Sequence, residues 1–321
     1  MRISGFTFAR NASKLYYPVK ASITSILPLV DEFVVALGDN DPDDSTEKEI
    51  LSIDSPKIKI IRTAWDLEHF PHGMEYARQT DIAMRACTGD WLFYIQSDEV
   101  LHEKYFPAVK DACLKYFHEP SVEGLLFSYK HFWGDYNHYV VSHAWYPREI
   151  RIVRNDPQIH SWRDAQSFRR IPDFDGVDYY QKKGTRKLSV VPIDACIHHY
   201  GFVRPPAIMQ RKNKNHHANY RGLKAMIERF KNRPEQFEYG DLNKLQVYTD
   251  EHPQAMKEWI AKMDWSETLQ LPCSKKALHK HDLPKYRLLT FIEQRLLQGR
   301  QLFGFRNYKL TKPKISPSGF F

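Results

Sequence analysis

The sequence predicts an α/β fold: a mostly parallel sheet flanked by helices, followed by a C-terminal helical region. Three observations carry this. Strand-like and helix-like segments alternate through the first 100 residues, as they do in βαβ units. The strand-like segments are almost continuously apolar, as in a sheet covered on both faces. Strand signals then fade near residue 205 and helical stretches take over.

Each element has its own reason. "RISGFTFA" reads as a first strand. "YYPVKASITSILPLV" has the spaced apolar residues of a helix and is broken near Pro28. "EFVVALG" and "KIKIIRTAW" are the next strands. Residues 74–88 lack Gly and Pro and read as a helix, which Gly89 ends before the strand "WLFYIQ". A helix is expected over 102–117. Strands follow at "VEGLLFSYKHF", "REIRIVRN" and "RKLSVVPIDACIHHYG". A boundary falls near residue 204, at "VRPP", which gives one unit over 1–204 and a helical extension over 205–310. Helices are expected over 206–232, 253–263 and 284–303, and a loose tail over 311–321.

Composition narrows the function. With 321 residues, 42% hydrophobic and 14% aromatic, the chain can build a real core and is not of a disordered class. It has no apolar run of the ~18 residues a membrane span needs. Cys87, Cys113, Cys196 and Cys273 are scattered and form no CxxC pair, which argues against a disulfide framework and a thiolate zinc site. A reducing cytoplasm is the expected setting. The net charge of +8 favours anionic partners.

Against that positive background, the strand ends are polar or acidic. The first strand runs into Arg10 and Asn11. The second runs into Asp39, Asp41, Asp43 and Asp44. "WLFYIQSDEV" runs into Gln96, Ser97, Asp98 and Glu99. Ligands of open α/β sheets bind outside the carboxyl ends of the strands. Carboxylates there suit a hard divalent cation and a bound diphosphate. The other reading of "GDNDPDDST" is an Asp-rich turn.

Taken together, "FTFARNAS", "VVALGDNDPDDST" and "GDWLFYIQSDEV" resemble the family 2 glycosyltransferases of GT-A fold, over roughly residues 2–204. The resemblance implies a nucleotide-diphosphate sugar as donor and Mn2+ or Mg2+ as cofactor. It places Phe8, Arg10, Asn11, Asp39, Gln96, Ser97 and Arg204 on the donor, with Arg78 and Asp81 from the helix before the fourth strand. Asp44 and Thr46 match the trailing acid and hydroxyl of the second motif. Asp98 and His199 would hold the metal, with His198 as the alternative to His199. Gln96 stands where the family has the first acid of its DxD motif, which brings one carboxylate fewer to the metal.

The resemblance also makes Asp164, in "WRDAQ", the candidate base that takes the proton of the acceptor hydroxyl. The alternative is a plain ion pair with Arg163, Arg169 or Arg170. Trp133, Tyr136 and Trp162 could form an acceptor platform for a glycan or lipid-linked acceptor, or could be core. "RKNKNHHANYR" reads as a solvated helix face. Nucleic acid is not expected, because the acidic strand ends would repel it. The amphipathic stretch 283–305 could pack on the core, dimerise, or rest on the inner face of a membrane. The same fold also carries sugar nucleotidyltransferases and non-catalytic nucleotide or polyanion binders. "ARNASKLYYP" lacks the glycine-rich loop of the former.

Overall fold

The structure, a computed structural model, describes residues 1–269, 279–304 and 306–312. Cys273 and most of the expected tail, 313–321, lie outside the described residues.

The first half alternates as the sequence predicts. It runs β1 (Ile3–Ala9), α1 (Val19–Ile26), β2 (Glu32–Leu37), α2 (Thr46–Leu51), β3 (Ile58–Arg62), α3 (Met74–Arg85) and β4 (Trp91–Tyr94). Pro28 turns the end of α1 into a short 3-10 segment. After β4 come β5 (Glu99–Leu101), α4 (Phe106–Lys115), β6 (Gly124–Trp133), β7 (His138–Val140) and β8 (Arg148–Arg154). Then follow β9 (Ile159–Trp162), β10 (Ser167–Arg170) and the long β11 (Arg186–Phe202). The last part holds α5 (Pro206–Arg221), α6 (Leu223–Phe230), β12 (Gln246–Val247), α7 (Lys257–Ile260), α8 (Ser266–Leu269), α9 (Pro284–Leu296) and β13 (Tyr308–Leu310).

The central sheet has the order β3-β2-β1-β4-β8-β6-β11. β3, β2, β1 and β4 pair in parallel. β8 is antiparallel to both β4 and β6, and β6 is parallel to β11. All strands of this run therefore point one way except β8. Apolar side chains of β1, β2, β4 and β6 pack on both faces, against α1 and α4 on one side and α3 on the other. That explains their unbroken hydrophobicity.

β11 ties the parts together. Along its length it pairs with β13, β10, β6 and β5. Its register against β6 shifts between Pro192 and Cys196, and again between His199 and Phe202. The expectation that strands end near residue 205 is corrected by β12, which pairs with β7, and by β13, which pairs with β11. Both are too short for a periodicity to be read. The C-terminal region packs directly on the sheet: Trp133 Nε1 donates to Tyr239 O, and Trp265 Nε1 to Gly134 O. α9 docks through His143, whose Nδ1 lies 2.6 Å from the Glu293 carboxylate. Leu288, Phe291 and Leu296 on α9 remain exposed.

The turn between β4 and β5 is closed by a buried ion pair. Arg151 of β8 grips Glu99 with two bonds, Nε to Oε2 and Nη2 to Oε1, each 2.7 Å, and both side chains are fully enclosed. Tyr129 Oη and the Gln96 backbone N–H also donate to that carboxylate. Arg151 Nη1 donates to Ile150 O and Gln166 O. Each nitrogen of Arg151 and both oxygens of Glu99 are thus hydrogen-bonded, the condition under which such a pair is tolerated in a core.

Glu99→Ala leaves the Arg151 charge buried without its counter-ion, so the expected loss of stability is about 3–5 kcal/mol. Urea denaturation reads it, and a loss under ~1 kcal/mol, typical of a surface pair, would contradict this account.

Candidate functional site

A cavity of about 380 Å3 opens at the carboxyl ends of β1 and β4. Its walls come from the loop after β1, the β4–β5 turn, the β9–β10 loop, the end of β11 and one face of α5. Phe8, Arg10, Asn11, Gln96, Ser97, Asp98, Asp164 and His199, all expected at a site, line it together.

At one end lies a seat for positive charge. Asp98 and His199 are almost fully buried, and His199 Nε2 is 3.7 Å from Asp98 Oδ2. The hydrogen bonds define the imidazole tautomers. His131 Nε2 lies 2.8 Å from Tyr146 O, a carbonyl that can only accept, so His131 donates there. Burial, reinforced by His199, pulls His131 down to about 3, and burial pulls His199 down to about 4 against the pull of Asp98, so both rings are neutral near pH 7. His131 Nδ1 must then accept from His199 Nδ1, 2.9 Å away. This leaves the His199 Nε2 lone pair facing a carboxylate. Burial raises the Asp98 carboxyl, but the positive charges of His199 in its protonated form, of Lys212 and of Arg204 outweigh it and hold the carboxyl below its usual range.

Lys212 of α5 occupies this place. Its Nζ is 3.5 Å from Asp98 Oδ2 and donates to Gly201 O at 2.7 Å. Nζ also lies over the rings of Tyr17 and Phe202, at 5.2 and 5.1 Å. Burial, joined by the Arg204 charge, pulls the Lys212 amine down to about 7 against the pull of Asp98. Gly201 makes the packing possible: a Cβ there would stand 2.5 Å from His199 Nε2 and 2.8 Å from Asp98 Oδ2.

Across the cavity, Asp164 accepts from the Gln166 backbone N–H and from Tyr220 Oη, at 2.8 and 2.9 Å. Burial raises its carboxyl above the ordinary value, and those two donors only partly oppose the rise. Arg169 bonds to Asn307, and Arg170 bonds to Glu123 and Asp156. Gln166 and Ser167 donate in turn to Glu149, a buried carboxyl pushed up to about 7 by burial. The third wall is aromatic. Phe8, Trp65 and Tyr76 meet at centroid distances of 5.2–6.0 Å, and Asn219 Nδ2 holds Tyr76 Oη.

Several expected site residues are placed elsewhere. Asp39 stands at the rim, bonded to Arg10 and to the Trp65 N–H. Arg78 is held by Glu75 and Ala64 O, and Asp81 by His160 and the Ser161 N–H, both away from the cavity. Arg204 is wholly buried behind the wall, donating to Leu15 O with its guanidinium over Tyr17. Trp133 and Tyr136 are core, in the aromatic clusters under the C-terminal region. Trp162 is buried between Arg163 and Arg169 and donates to Gln181 O. His198 points away from Asp98, with its Nε2 3.0 Å from Tyr248 Oη. Asp44 acts as a clamp, accepting from Ser13 and Lys14 of the β1 loop and from the Thr46 N–H that opens α2.

What the sequence reading missed is the α5 face. Lys212, His216, Asn219 and Tyr220 all line the cavity. Their i, i+4, i+7, i+8 spacing is a helical stripe. It passed as a solvated face because every member is polar or amphipathic.

The expected divalent cation fits this set of donors poorly. Among the described residues no group of three or more His, Cys, Asp or Glu side chains gathers to hold a metal. Asp98 and His199 offer one carboxylate and one imidazole nitrogen, while Gln96 is neutral with its Nε2 turned to Ala165 O and Glu99 is held by Arg151. Lys212 Nζ already stands 3.5 Å from Asp98 Oδ2, the oxygen a divalent ion would have to share, and in its charged form repels that ion.

No protein-family model and no curated protein matches the chain. Among solved structures it is similar to glucosyl-3-phosphoglycerate synthase from Mycobacterium tuberculosis, in complex with Mn2+, UDP and phosphoglyceric acid. The identity is 21% over 40% of this chain and 43% of that one, with a TM-score of 0.28. It is similar to S. aureus TarS at 14% identity over 73% of this chain and 43% of that one, with a TM-score of 0.38. TarS 1–349 in complex with UDP-GlcNAc matches at 18% identity over 41% of this chain and 35% of that one, with a TM-score of 0.28. Each match spans less than half of the solved chain. No helix among the described residues is long and apolar enough to cross a membrane.

Two outcomes follow from this geometry. Gly201→Ala must displace His199 or Asp98, so the variant should lose about 1–3 kcal/mol of stability; urea denaturation reads it, and no loss would contradict the close packing. For Glu149, the folded protein holds the proton more firmly than the unfolded chain. Its contribution is complete below the ordinary carboxyl value of 4.5 and is lost as pH rises towards and through about 7. Glu149→Gln cannot ionise, so its melting temperature should gain on the wild type between pH 5 and pH 8; a constant difference would contradict the shift.

Proposed function

We propose that the chain is an inverting glycosyltransferase of GT-A type, similar to family 2, which moves a sugar from a nucleotide-diphosphate donor to a hydroxyl acceptor. The observation that carries this is the pairing across one cavity of a carboxyl with raised proton affinity, Asp164, and the seat where Lys212 meets Asp98 and His199. A base on one side and a charge-matched seat for a departing diphosphate on the other are what displacement at an anomeric carbon requires.

The donor would lie with its base towards Asp39, Arg10, Trp65 and Tyr76, and its diphosphate at the seat. The acceptor oxygen attacks the anomeric carbon and forms the new C–O bond. The bond from that carbon to the phosphate oxygen breaks, and its electron pair leaves with the nucleoside diphosphate. The acceptor proton passes to Asp164, which Tyr220 and the Gln166 N–H orient. The anomeric configuration inverts. Burial supports this role for Asp164, because a base with raised proton affinity draws a hydroxyl proton better at neutral pH than an ordinary aspartate does. Assembly of a polysaccharide or glycoconjugate on the cytoplasmic side of a membrane, with a glycan or lipid-linked acceptor, is the setting this reading implies.

Asp164→Asn should keep UDP or GDP affinity and lower turnover of the matching nucleotide sugar by about 10²–10⁴-fold. Retained turnover would place the base elsewhere. The acid limb of the wild-type rate profile should lie above the ordinary aspartate range, and it should vanish with the variant's residual rate.

A further inference from the structure

We infer that Lys212 is the counter-cation of the donor diphosphate, standing where a divalent metal would otherwise be required, so that this chain binds its donor without a metal ion. The inference rests on the proposed glycosyl transfer and assigns the electrostatic part of it to a residue of the chain.

Position is the first ground. Lys212 lies two turns into α5, whose start is fixed by Pro205 and Pro206 directly after β11. This helix brings the Lys212 Nζ to the one carboxylate oxygen that also faces His199. Lys212 and Asp98 both line the cavity, and the lysine side chain is only 14% exposed.

Preparation is the second. A surface lysine surrenders rotamer freedom when it binds an anion. Lys212 is already held, by Gly201 O and by the rings of Tyr17 and Phe202. Such a group needs little reorganisation when charge develops beside it. Arg204, fully buried with its guanidinium also over Tyr17, adds positive field without lining the cavity.

The ligand set is the third. The β4–β5 turn brings a single acid, Asp98, to the seat, since Gln96 is neutral and Glu99 belongs to Arg151. A diphosphate laid against Lys212 Nζ brings the negative charge that favours the ammonium form, and Arg204 stands behind it. A divalent ion there would have to share an oxygen that Nζ already faces. During transfer the leaving diphosphate gains one negative charge. Lys212 needs only to donate hydrogen bonds to it, and no proton or further reactant is consumed.

The test is calorimetric titration of UDP and of GDP into the full chain, with EDTA and separately with Mn2+, for wild type, Lys212→Met and Lys212→Arg. One nucleotide should bind wild type equally, within about twofold, in both conditions. Lys212→Met should lose roughly tenfold or more in both, and Lys212→Arg should recover most of that loss. Wild-type binding that requires Mn2+, or Lys212→Met binding as tightly as wild type, would overturn the inference and leave the glycosyltransferase reading standing. Binding of neither nucleotide in any condition would overturn both. If Lys212→Met does not fold, the wild-type comparison between EDTA and Mn2+ still decides.

Discussion

The buried bond between Glu99 and Arg151 is the constraint on which the site depends. It holds the β4–β5 turn onto β8, and in doing so it sets where Gln96, Ser97 and Asp98 project. Through Arg151 Nη1 it also fixes the Gln166 carbonyl, one residue beyond Ala165, whose own carbonyl holds the Gln96 side chain. One ion pair therefore registers both sides of the cavity against each other. Its neighbour Asp98 is free to face the cavity because Glu99 is not. Two adjacent acids at the end of an apolar strand divide the work, one for architecture and one for chemistry.

The cavity is assembled from places far apart in the chain, and each contributes something different. The ends of β1 and β4 bring polar backbone and short side chains. The β9–β10 loop brings a carboxyl. The end of β11 brings an imidazole whose Nε2 is left an acceptor, because its Nδ1–H is given to His131. α5 brings both the lysine of the seat and the tyrosine that orients Asp164. That helix touches both halves of the proposed reaction, which makes the region after residue 205 part of the site and not an appendage to it.

Much of the fold was legible because its rules are local. Unbroken apolar runs named β1, β2 and β4, the break at Pro28 ended α1, and the absence of Gly and Pro marked α3. Strand ends pointed to the cavity because a parallel sheet leaves its ligands there. Other parts depend on partners that no local pattern encodes. β5, β12 and β13 are three residues or fewer and exist only because β11 or β7 offers an edge. Trp133, Tyr136 and Trp162 looked like a platform because polar residues stand among them, yet those polar residues turn to caps and loops while the rings pack inward. Arg204 and Arg78 carry the right chemistry at plausible positions, but backbone carbonyls and a neighbouring glutamate claim them first. Lys212 went unread because a lysine in a basic helix carries no sign of what it faces until β11 is in place.

β11 also explains why it is His199 that meets Asp98 while its neighbour does not. Side chains alternate along a strand, so a one-residue slip in the pairing of β11 would exchange the two histidines. Between Pro192 and Cys196 the strand takes four steps while β6 takes two, from Leu126 to Ser128. The surplus is even, so the alternation set at Val190 reaches His199 unchanged. Parity, not length, is thus what this segment conserves. A bulge that absorbed two further residues there would leave His199 at the cavity, whereas a one-residue slip beyond it would turn His198 towards Asp98 and carry His199 to the face where Tyr248 stands.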